Sequence, residues 1–397
     1  MSNATSSRLL IFTLAAITAL GPMSMQVFLP ALPAIQDAFN VSPMRAQLVL
    51  SASLMSIAIS ALAYGPASDR YGRRPVVLIG LSIFLIGSMI CVISTSIWML
   101  IFGRIVQAIG GAAGMVLSRA IIRDLYDRET AARMLAYMVT VLVFAPMVAP
   151  VIGGVINDLA GWRAIFCFTC IVGLAAIILA YPRVPETLVK SPLVQSKNGM
   201  FMHFVTLIRI RAFMAYAGQL SFGLGMFMAL IGGAPFVVIR VLGKSPTELG
   251  LLLLILSAGF MVGTFITARG GARIGVDRMI RIGSSLSVLF GVIMLVLVLA
   301  GEWTVWAIFI PSTGMAFANG LIMPNAQAAA ISINPQIAGS ASGLMSFIQM
   351  TTGAIFAQTV GVVQDGTPIP MVLIVTIAAT LGLVSILLLP KTKSLEI

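Results

Sequence analysis

Long stretches without charged residues dominate this sequence and decide what it can fold into. A helix that crosses the hydrocarbon core of a bilayer needs about 20 predominantly apolar residues. Charges or clusters of proline and glycine separate twelve such stretches, near 9–29, 46–66, 75–95, 98–118, 134–156, 164–182, 212–235, 247–268, 282–301, 303–323, 338–360 and 369–389. We therefore predict an all-α membrane protein with twelve transmembrane helices.

The composition excludes several other classes of protein. Of the 397 residues, 59% are hydrophobic and 9% are charged, whereas roughly 25% are charged in a soluble domain. Twelve spans use roughly 240 residues, so too few remain for a folded soluble domain. The tripeptide Gly243-Lys244-Ser245 has Val238 where a phosphate-binding loop needs glycine, so we expect no ATP site. Catalytic groups are not clustered, and we expect neither enzymatic activity nor a metal or other cofactor.

Lysine and arginine are distributed unevenly among the loops. With the amino terminus inside, nineteen of the 24 basic residues fall on the cytoplasmic side, four (Arg45, Arg163, Arg240 and Lys244) fall outside, and Arg104 lies within a span. Cytoplasmic loops of membrane proteins carry an excess of basic residues. We predict that both termini are cytoplasmic and that the net charge of +12 reflects orientation in the membrane, with no nucleic-acid partner.

The longest polar interval divides the chain into two halves. It covers 183–211, between spans six and seven, and it separates six-helix halves at 1–182 and 212–397. A weak repeat supports the division, because the turn Arg70-Tyr71-Gly72 after span two is echoed by Arg273-Ile274-Gly275 after span eight. We predict two pseudo-symmetric six-helix bundles joined by a cytoplasmic linker.

The loop between spans two and three carries the most specific motif. It reads Gly65-Pro-Ala-Ser-Asp69-Arg70-Tyr-Gly72-Arg73-Arg74. This resembles the signature loop of the major facilitator superfamily, Gly-x-x-x-Asp-Arg-x-Gly-Arg-Arg, at every defining position. The resemblance implies that Asp69, Arg70 and Arg73 hold one state of the two halves through charge pairs, as gating residues.

Spans four and five carry two further motifs. Arg104 and Gln107, followed by glycines, resemble the fourth-helix motif of proton-coupled members of the superfamily. Inserting an arginine into the membrane within a span costs at least about 2.5 kcal/mol of free energy, so its side chain should face a cavity or a partner and not lipid. In span five, Pro146, Pro150, Gly153 and Gly154 resemble the antiporter motif of drug exporters, although alanine stands at positions 145 and 149 where glycine is usual.

Three more segments narrow the family. Residues 24–33, 119–124 and 338–343, together with Met323-Pro324-Asn325, resemble Bcr/CflA drug-resistance exporters. The resemblance implies a protein of the bacterial inner membrane that exports antibiotics by proton antiport, or in some members small metabolites or siderophores. The implied energy source is the proton gradient, the implied partners are a small-molecule substrate and the lipid bilayer, and we expect a monomer.

Span one departs from that family, because Gln26 stands where an acidic residue is common. All twelve acidic residues fall near a membrane surface and the one histidine, His203, lies in the linker. Two mechanisms stay open. Protonation occurs at Asp37 or Asp124, tuned by Arg104 or Arg119; alternatively the substrate itself carries the proton or the negative charge, in a cavity that Arg104 makes positive.

The substrate site is expected between the two halves. Polar residues on spans one, four, seven, ten and eleven are the candidates, with aromatic and methionine residues forming an adaptable apolar wall: Gln26, Gln107, Gln219, Tyr216, Asn319, Ser346, Gln349, Met25 and Phe222. The competing functions are an exporter of an anionic metabolite or siderophore and, from another class, a membrane enzyme or sensor, which would require polar catalytic groups clustered at one membrane face.

Overall fold

The computed structural model describes residues 2–188, 197–334 and 337–389. All regular structure in these ranges is helical, in fourteen α-helices and two short segments of other helix types. The α-helices are α1 (Ser2–Val27), α2 (Leu32–Phe39), α3 (Pro43–Tyr71), α4 (Arg73–Val92), α5 (Ile97–Leu125), α6 (Arg128–Ala160), α7 (Trp162–Arg183), α8 (Lys197–Arg209), α9 (Arg211–Pro235), α10 (Pro246–Ile274), α11 (Val276–Leu299), α12 (Val305–Ser332), α13 (Ala338–Val363) and α14 (Ile369–Leu387).

The helices confirm the all-α membrane architecture. Within the described ranges, eleven helical segments are long and apolar enough to cross a membrane. The remaining predicted span, 134–156, lies in the 33-residue helix α6, of which Phe144–Ala160 forms a shorter apolar segment. Most helices extend several residues beyond the predicted spans, because charged and polar turns continue the helix past the apolar stretch.

Span one is interrupted near its end. Pro22 lies inside α1 and lacks the N–H that an α-helix requires at that position. The helix ends at Val27, a 3₁₀ turn follows over Leu29–Ala31, and the chain continues as α2. The carboxyl-terminal carbonyls of α1 therefore need partners outside the helix.

The described part of the predicted linker contains a helix that the apolar pattern does not reveal. Helix α8 buries Leu207 and half-buries His203, whose Nδ1 lies 3.3 Å from Oγ of Ser340 on α13. Its other side exposes Met202 and Ile208. At 13 residues it is too short to cross a bilayer.

The chain forms two compact units. Unit 1 comprises Met1–Pro192 and Ala234–Leu254, and unit 2 comprises Leu193–Gly233 and Ile255–Ile397. In unit 1, α5 packs closely against α1, α3 and α4; in unit 2, α11 packs against α12 and α14. Each unit therefore has its own core, and the buried cluster of unit 2 joins Phe213, Ile280, Ile322 and Ile386.

Candidate functional site

Arg104 lies inside unit 1 and is almost completely buried, with 1% of its surface exposed. Its Nη1 donates to the carbonyl oxygen of Ser24 at 3.1 Å and to Oε1 of Gln107. The guanidinium carbon also lies 4.1 Å from the centre of the Phe28 ring. Ser24 lies in the last turn of α1 and Phe28 directly follows its last residue, Val27. The carboxyl-terminal end of a helix carries partial negative charge. The interruption of span one thus supplies the electrostatic partner of this arginine.

Gln107 connects four helices of unit 1. It is fully buried, and its Nε2 donates to Oγ of Ser88 at 2.7 Å and to Oγ1 of Thr169 at 3.1 Å. Because its Oε1 accepts from Arg104, the amide joins α4, α5 and α7 to the end of α1. Buried amides and cations of this kind must find hydrogen-bond partners, and this network provides them inside one unit.

The predicted span-one residues lie beside this network. Met25 is 9% exposed and Gln26 is half-buried. Gln26 is two residues from Ser24, which corresponds to about 200° around an α-helix. The residues of span one that contact the guanidinium of Arg104 are therefore Ser24 and Phe28, one turn apart.

A second cluster, here called the inner cluster for its predicted side of the membrane, comprises Asp69, Arg73, Asp124 and Glu186. Arg73 Nη1 lies 2.6 Å from Asp69 Oδ1, and Arg73 Nε lies 3.0 Å from Asp124 Oδ2. The Thr187 hydroxyl also donates to Asp124 Oδ2 at 3.0 Å. The structure thus brings together three of the charged residues that the sequence singled out.

Sequence reasoning did not select Glu186, the fourth member of the inner cluster. Its carboxylate accepts hydrogen bonds from the backbone N–H groups of Arg73 at 2.9 Å and Arg74 at 3.3 Å, at the amino end of α4. Burial raises the pKa of Glu186, but the N–H groups of Leu188, Arg73 and Arg74 stabilise the carboxylate and hold the pKa below its usual value. The signal in the sequence was a carboxylate directly after span six, which can cap a neighbouring helix.

The other predicted gating arginines lie outside these contacts. Arg70 stacks on the neighbouring Tyr71, with 5.3 Å from guanidinium carbon to ring centre. Arg119 is exposed on α5. The arginines that pair with Asp37 and Asp124 are Arg240 and Arg73, so a tuning role for Arg104 or Arg119 stays a prediction.

The proline and glycine motif of span five forms a close helix contact. A Cβ atom on Gly153 would overlap the carbonyl oxygen of Val27, and one on Gly154 would lie 2.5 Å from the carbonyl oxygen of Pro246. In return, a Cβ on Gly250 would lie 2.6 Å from the carbonyl oxygen of Pro150. Only glycine permits such backbone approach, so these residues fix α6 against the end of α1 and the start of α10.

A third cluster, called the outer cluster for its predicted side of the membrane, comprises Asp37, Arg240, Asp158 and Thr247. It lies next to this glycine contact, because Thr247 packs against Gly154. Asp37 on α2 forms an ion pair with Arg240, whose Nη2 also donates to the carbonyl oxygen of Pro33 at 3.3 Å. The backbone N–H of Thr247 donates to Asp158 Oδ2 at 3.1 Å, and its hydroxyl donates to the same oxygen. The sequence selected Asp37 but not Arg240, because 203 positions separate the two residues.

The remaining candidates lie in unit 2. Gln219 is 2% exposed and packs against Gly382 on α14, and Asn319 Nδ2 donates to the carbonyl oxygen of Gly223 at 3.4 Å. The Tyr216 hydroxyl donates to Asp277 Oδ1 at 2.7 Å and lines a cavity of about 500 Å³. The other candidates of unit 2 are half-buried: Phe222, which packs edge-on against Phe356, with Ser346 and Gln349 on α13.

Known proteins resemble this chain along almost its whole length. The family model of the Major Facilitator Superfamily matches residues 14–357. The bicyclomycin resistance protein homolog of Haemophilus influenzae is 29% identical over 94% of this chain and 93% of that protein. Multidrug resistance protein D of Escherichia coli is 28% identical over 88% and 87%. The crystal structure of a D-xylose-proton symporter shares the fold, with a TM-score of 0.74, 15% identity, and coverage of 96% of this chain and 97% of that one.

These similarities agree with the signature loop, the span-five motif and the helical architecture. They identify a multi-pass protein of the bacterial inner membrane that is a transporter and not an enzyme. The chain therefore belongs to the major facilitator superfamily, within the group of Bcr/CflA-type drug-resistance exporters.

Proposed function

We propose that this transporter exports small amphipathic drugs or metabolites from the cytoplasm by proton antiport with alternating access. The resistance proteins of Haemophilus influenzae and Escherichia coli support the export of drugs. The observation that carries the coupling is geometric. Asp37 and Asp124, the two carboxylates selected from the sequence, each pair with an arginine, namely Arg240 and Arg73.

Protonation of these carboxylates provides a means of coupling. A proton that binds Asp37 removes the charge that attracts Arg240, and a proton that binds Asp124 weakens its contact with Arg73. Each ion pair joins segments far apart in the sequence, so its loss frees one segment from another. The proton gradient is then the energy source, and no ATP or cofactor is required.

The substrate is proposed to bind at the polar residues of spans one, four, seven, ten and eleven. Gln26 is the strongest candidate in unit 1, because it is half-buried while Arg104 and Gln107 are occupied by each other. The same proposal includes six-helix halves at 1–182 and 212–397, cytoplasmic termini and a monomeric protein. The positive charge of the predicted inner loops supports this orientation.

A second candidate function is the export of an anionic metabolite or siderophore. It is favoured by the buried cation Arg104, since no ion pair among the described residues involves it. Phe28 and Ser24 would have to move before an anion could reach the guanidinium. This function predicts that export continues without proton exchange at a protein carboxylate.

Drug export is tested in a bacterium that lacks its own efflux pumps. We expect expression of this chain to raise resistance to several amphipathic antibiotics, and collapse of the proton gradient to abolish the increase. Unchanged susceptibility to every compound, together with altered secretion of anionic metabolites, would favour the second candidate function.

Proton coupling is tested with purified protein in liposomes, by following drug-driven proton movement. We expect Asp37→Asn and Asp124→Asn to reduce the protons moved for each drug molecule. The matched controls are Asp365→Asn at the predicted outer side and Glu129→Gln at the inner side, both exposed carboxylates outside the two ion pairs. If both test variants couple normally, coupling at these carboxylates is wrong.

A further inference from the structure

Span seven ends in a segment of unusual helix geometry. Helix α9 ends at Pro235, and residues Phe236–Val241 continue as a π-helix. The backbone N–H of Leu242 donates to the carbonyl oxygen of Val237, five residues earlier, at 3.0 Å. A π segment accommodates one residue more than the α-helix that it replaces, and such segments occur frequently at functional sites.

Proline makes the entry into this segment easy to rearrange. Pro235 has no backbone N–H, so the carbonyl of Ile231, four residues earlier, receives no α-helical hydrogen bond from it. The helix is therefore already weakened where the π-helix begins. A change between the π and α registers at this point breaks fewer hydrogen bonds than it would inside a regular helix.

The π-helix determines where Arg240 points. Phe236, Val237 and Val238 are buried, Ile239 is half-buried, and the side chain of Arg240 is 44% exposed. In this register the guanidinium of Arg240 reaches both the Asp37 carboxylate and the Pro33 carbonyl. Successive α-helical residues differ by about 100° and 1.5 Å. Return to the α register would therefore move Arg240 away from both acceptors.

Most other charged groups at this predicted end of unit 1 have contacts of their own. Lys244 pairs with Glu248 at 3.2 Å, and Asp158 accepts from Thr247. Arg163 stacks on Trp162 and donates to the Ser94 carbonyl, while Arg45 is exposed at the start of α3. Among the described ion pairs, Arg240 is the cation that meets Asp37.

We propose that Arg240 is a positioning residue that transmits the charge of Asp37 to span seven through the helix register. The ion pair holds Phe236–Val241 in the π register, and neutral Asp37 lets the segment adopt the α register. The inference rests on the proposed coupling role of Asp37. The inference adds the segment that responds to the charge of Asp37, namely the π-helix, whose change of register rotates the chain that leads into α10.

The start of α10 would respond to this rotation. Pro246 contacts the backbone at Gly154, and Thr247 hydrogen-bonds to Asp158. Pro246 and Thr247 both lie within a few residues of the π-helix. The turn at Gly243 (φ +66°) connects the π-helix to α10. A one-residue shift upstream therefore displaces the residues that pack against the antiporter motif.

Cysteine accessibility measures the register directly. In purified protein with Cys91→Ala, Cys167→Ser and Cys170→Ala, single cysteines replace Val237, Val238 and Ile239, and their rates of reaction with a polar maleimide are compared. With Asp37 present, we expect positions 237 and 238 to be protected and position 239 to react at an intermediate rate, following their burial. With Asp37→Asn, we expect the profile to shift by one residue. Position 238 then reacts at the former rate of position 239, position 239 reacts like an exposed residue, and position 237 stays protected.

Control variants separate this shift from general loosening. Asp365→Asn should leave the profile unchanged, and Arg240→Gln should shift it as Asp37→Asn does. The charge exchange Asp37→Arg with Arg240→Asp should restore the original profile. A uniform increase at all three positions, or an unchanged profile in Asp37→Asn, would overturn the inference.

The same measurement remains informative whatever the transport assay shows. The labelling profile is read without substrate or proton gradient. If the profile shifts but Asp37→Asn still couples drug and proton normally, the proposed coupling role is wrong while the register change stands. If coupling is lost without a shift, Asp37 acts in coupling but not through span seven.

Discussion

At the scale of single residues, Arg104 shows how a membrane protein can bury a cation that forms no ion pair with a carboxylate in the described part of the chain. The guanidinium is covered by the Phe28 ring and bonded to the Ser24 carbonyl and the Gln107 amide. The end of an interrupted helix supplies partial negative charge, and the ring face attracts the cation. Arg104 therefore depends on the shape of span one, and span one depends on Arg104.

Replacement of Arg104 by lysine should destabilise unit 1 although the charge is kept. A lysine ammonium cannot reproduce the planar group that stacks on Phe28 while donating to two acceptors. We expect a loss of about 2 kcal/mol, the cost of leaving buried polar groups without partners, seen as a lower thermal midpoint of the purified protein. The exposed control Arg70→Lys should change the midpoint little. Equal midpoints for the two variants would contradict this account.

Gly153 is the residue where a single methyl group should be most disruptive. An alanine Cβ there would overlap the Val27 carbonyl oxygen, which belongs to backbone and cannot rotate away. We expect Gly153→Ala to cost roughly 1–3 kcal/mol, the usual cost of overpacking, in thermal unfolding and in the yield of folded protein. Gly339→Ala is the matched control, since apart from its chain neighbours and the adjoining backbone of its own helix no described heavy atom lies within 4 Å of the place that its Cβ would occupy. If the two variants unfold alike, the close contact of α6 is wrong.

At the scale of elements, the amino end of α4 is held by a residue from after span six. The residue before this helix, Gly72 (φ +102°), has no side chain that could accept hydrogen bonds from the first N–H groups of the helix. The Glu186 carboxylate accepts these hydrogen bonds instead. Asp69 and Asp124 share the side chain of Arg73, while Glu186 binds the backbone N–H groups of Arg73 and Arg74. The cap therefore connects α4 to the segment after α7.

Because the pKa of Glu186 is lowered in the folded protein, its stabilising effect depends on pH. By linkage, the contribution of Glu186 to the free energy of unfolding is fully present above the unfolded-state pKa of about 4.3. This contribution is lost as the pH falls through the lower folded-state pKa. We expect wild type to have a higher thermal midpoint than Glu186→Gln at neutral pH. The difference should shrink as the pH is lowered below about 4.

The control for this pH series is Glu129→Gln, an exposed glutamate of α6. Its difference from wild type should stay small and nearly constant over the same range of pH. A difference for Glu186→Gln that grows on acidification would show that the carboxylate is not stabilised in the folded state.

The spans and the signature motifs were predictable from sequence, whereas several contacts of the candidate site were not. Apolar length and basic loops are local signals, so they located the helices, Asp69, Arg73 and Arg104. The Asp37–Arg240 pair joins residues 203 positions apart, and neither neighbourhood indicates the other. The π-helix was not predicted either, because its residues Phe236–Val238 form an ordinary apolar run. Helix α8 was not predicted because it is short and polar enough to resemble a linker.

At the scale of the whole molecule, the basic residues predict one orientation in the membrane. We expect a single cysteine at Glu302, in a predicted outer loop, to react with a membrane-impermeant reagent on intact cells. A single cysteine at Arg278, in a predicted inner loop, should react only after the cells are opened. Both side chains are exposed in the structure, so protection would reflect the membrane and not burial. The reverse pattern would overturn the predicted orientation.

The contrast between the covered Arg104 and the exposed Asp37–Arg240 pair has a consequence for ionic strength. Side chains of the outer pair are 65% and 44% exposed, so added salt screens their attraction, with a Debye length of about 8 Å at 0.15 M falling to about 3 Å at 1 M. Mobile ions cannot enter the packed interior around Arg104, and its contacts keep their strength. Salt concentration therefore offers a reversible way to weaken the outer cluster of the native, unmutated protein while its interior network stays intact.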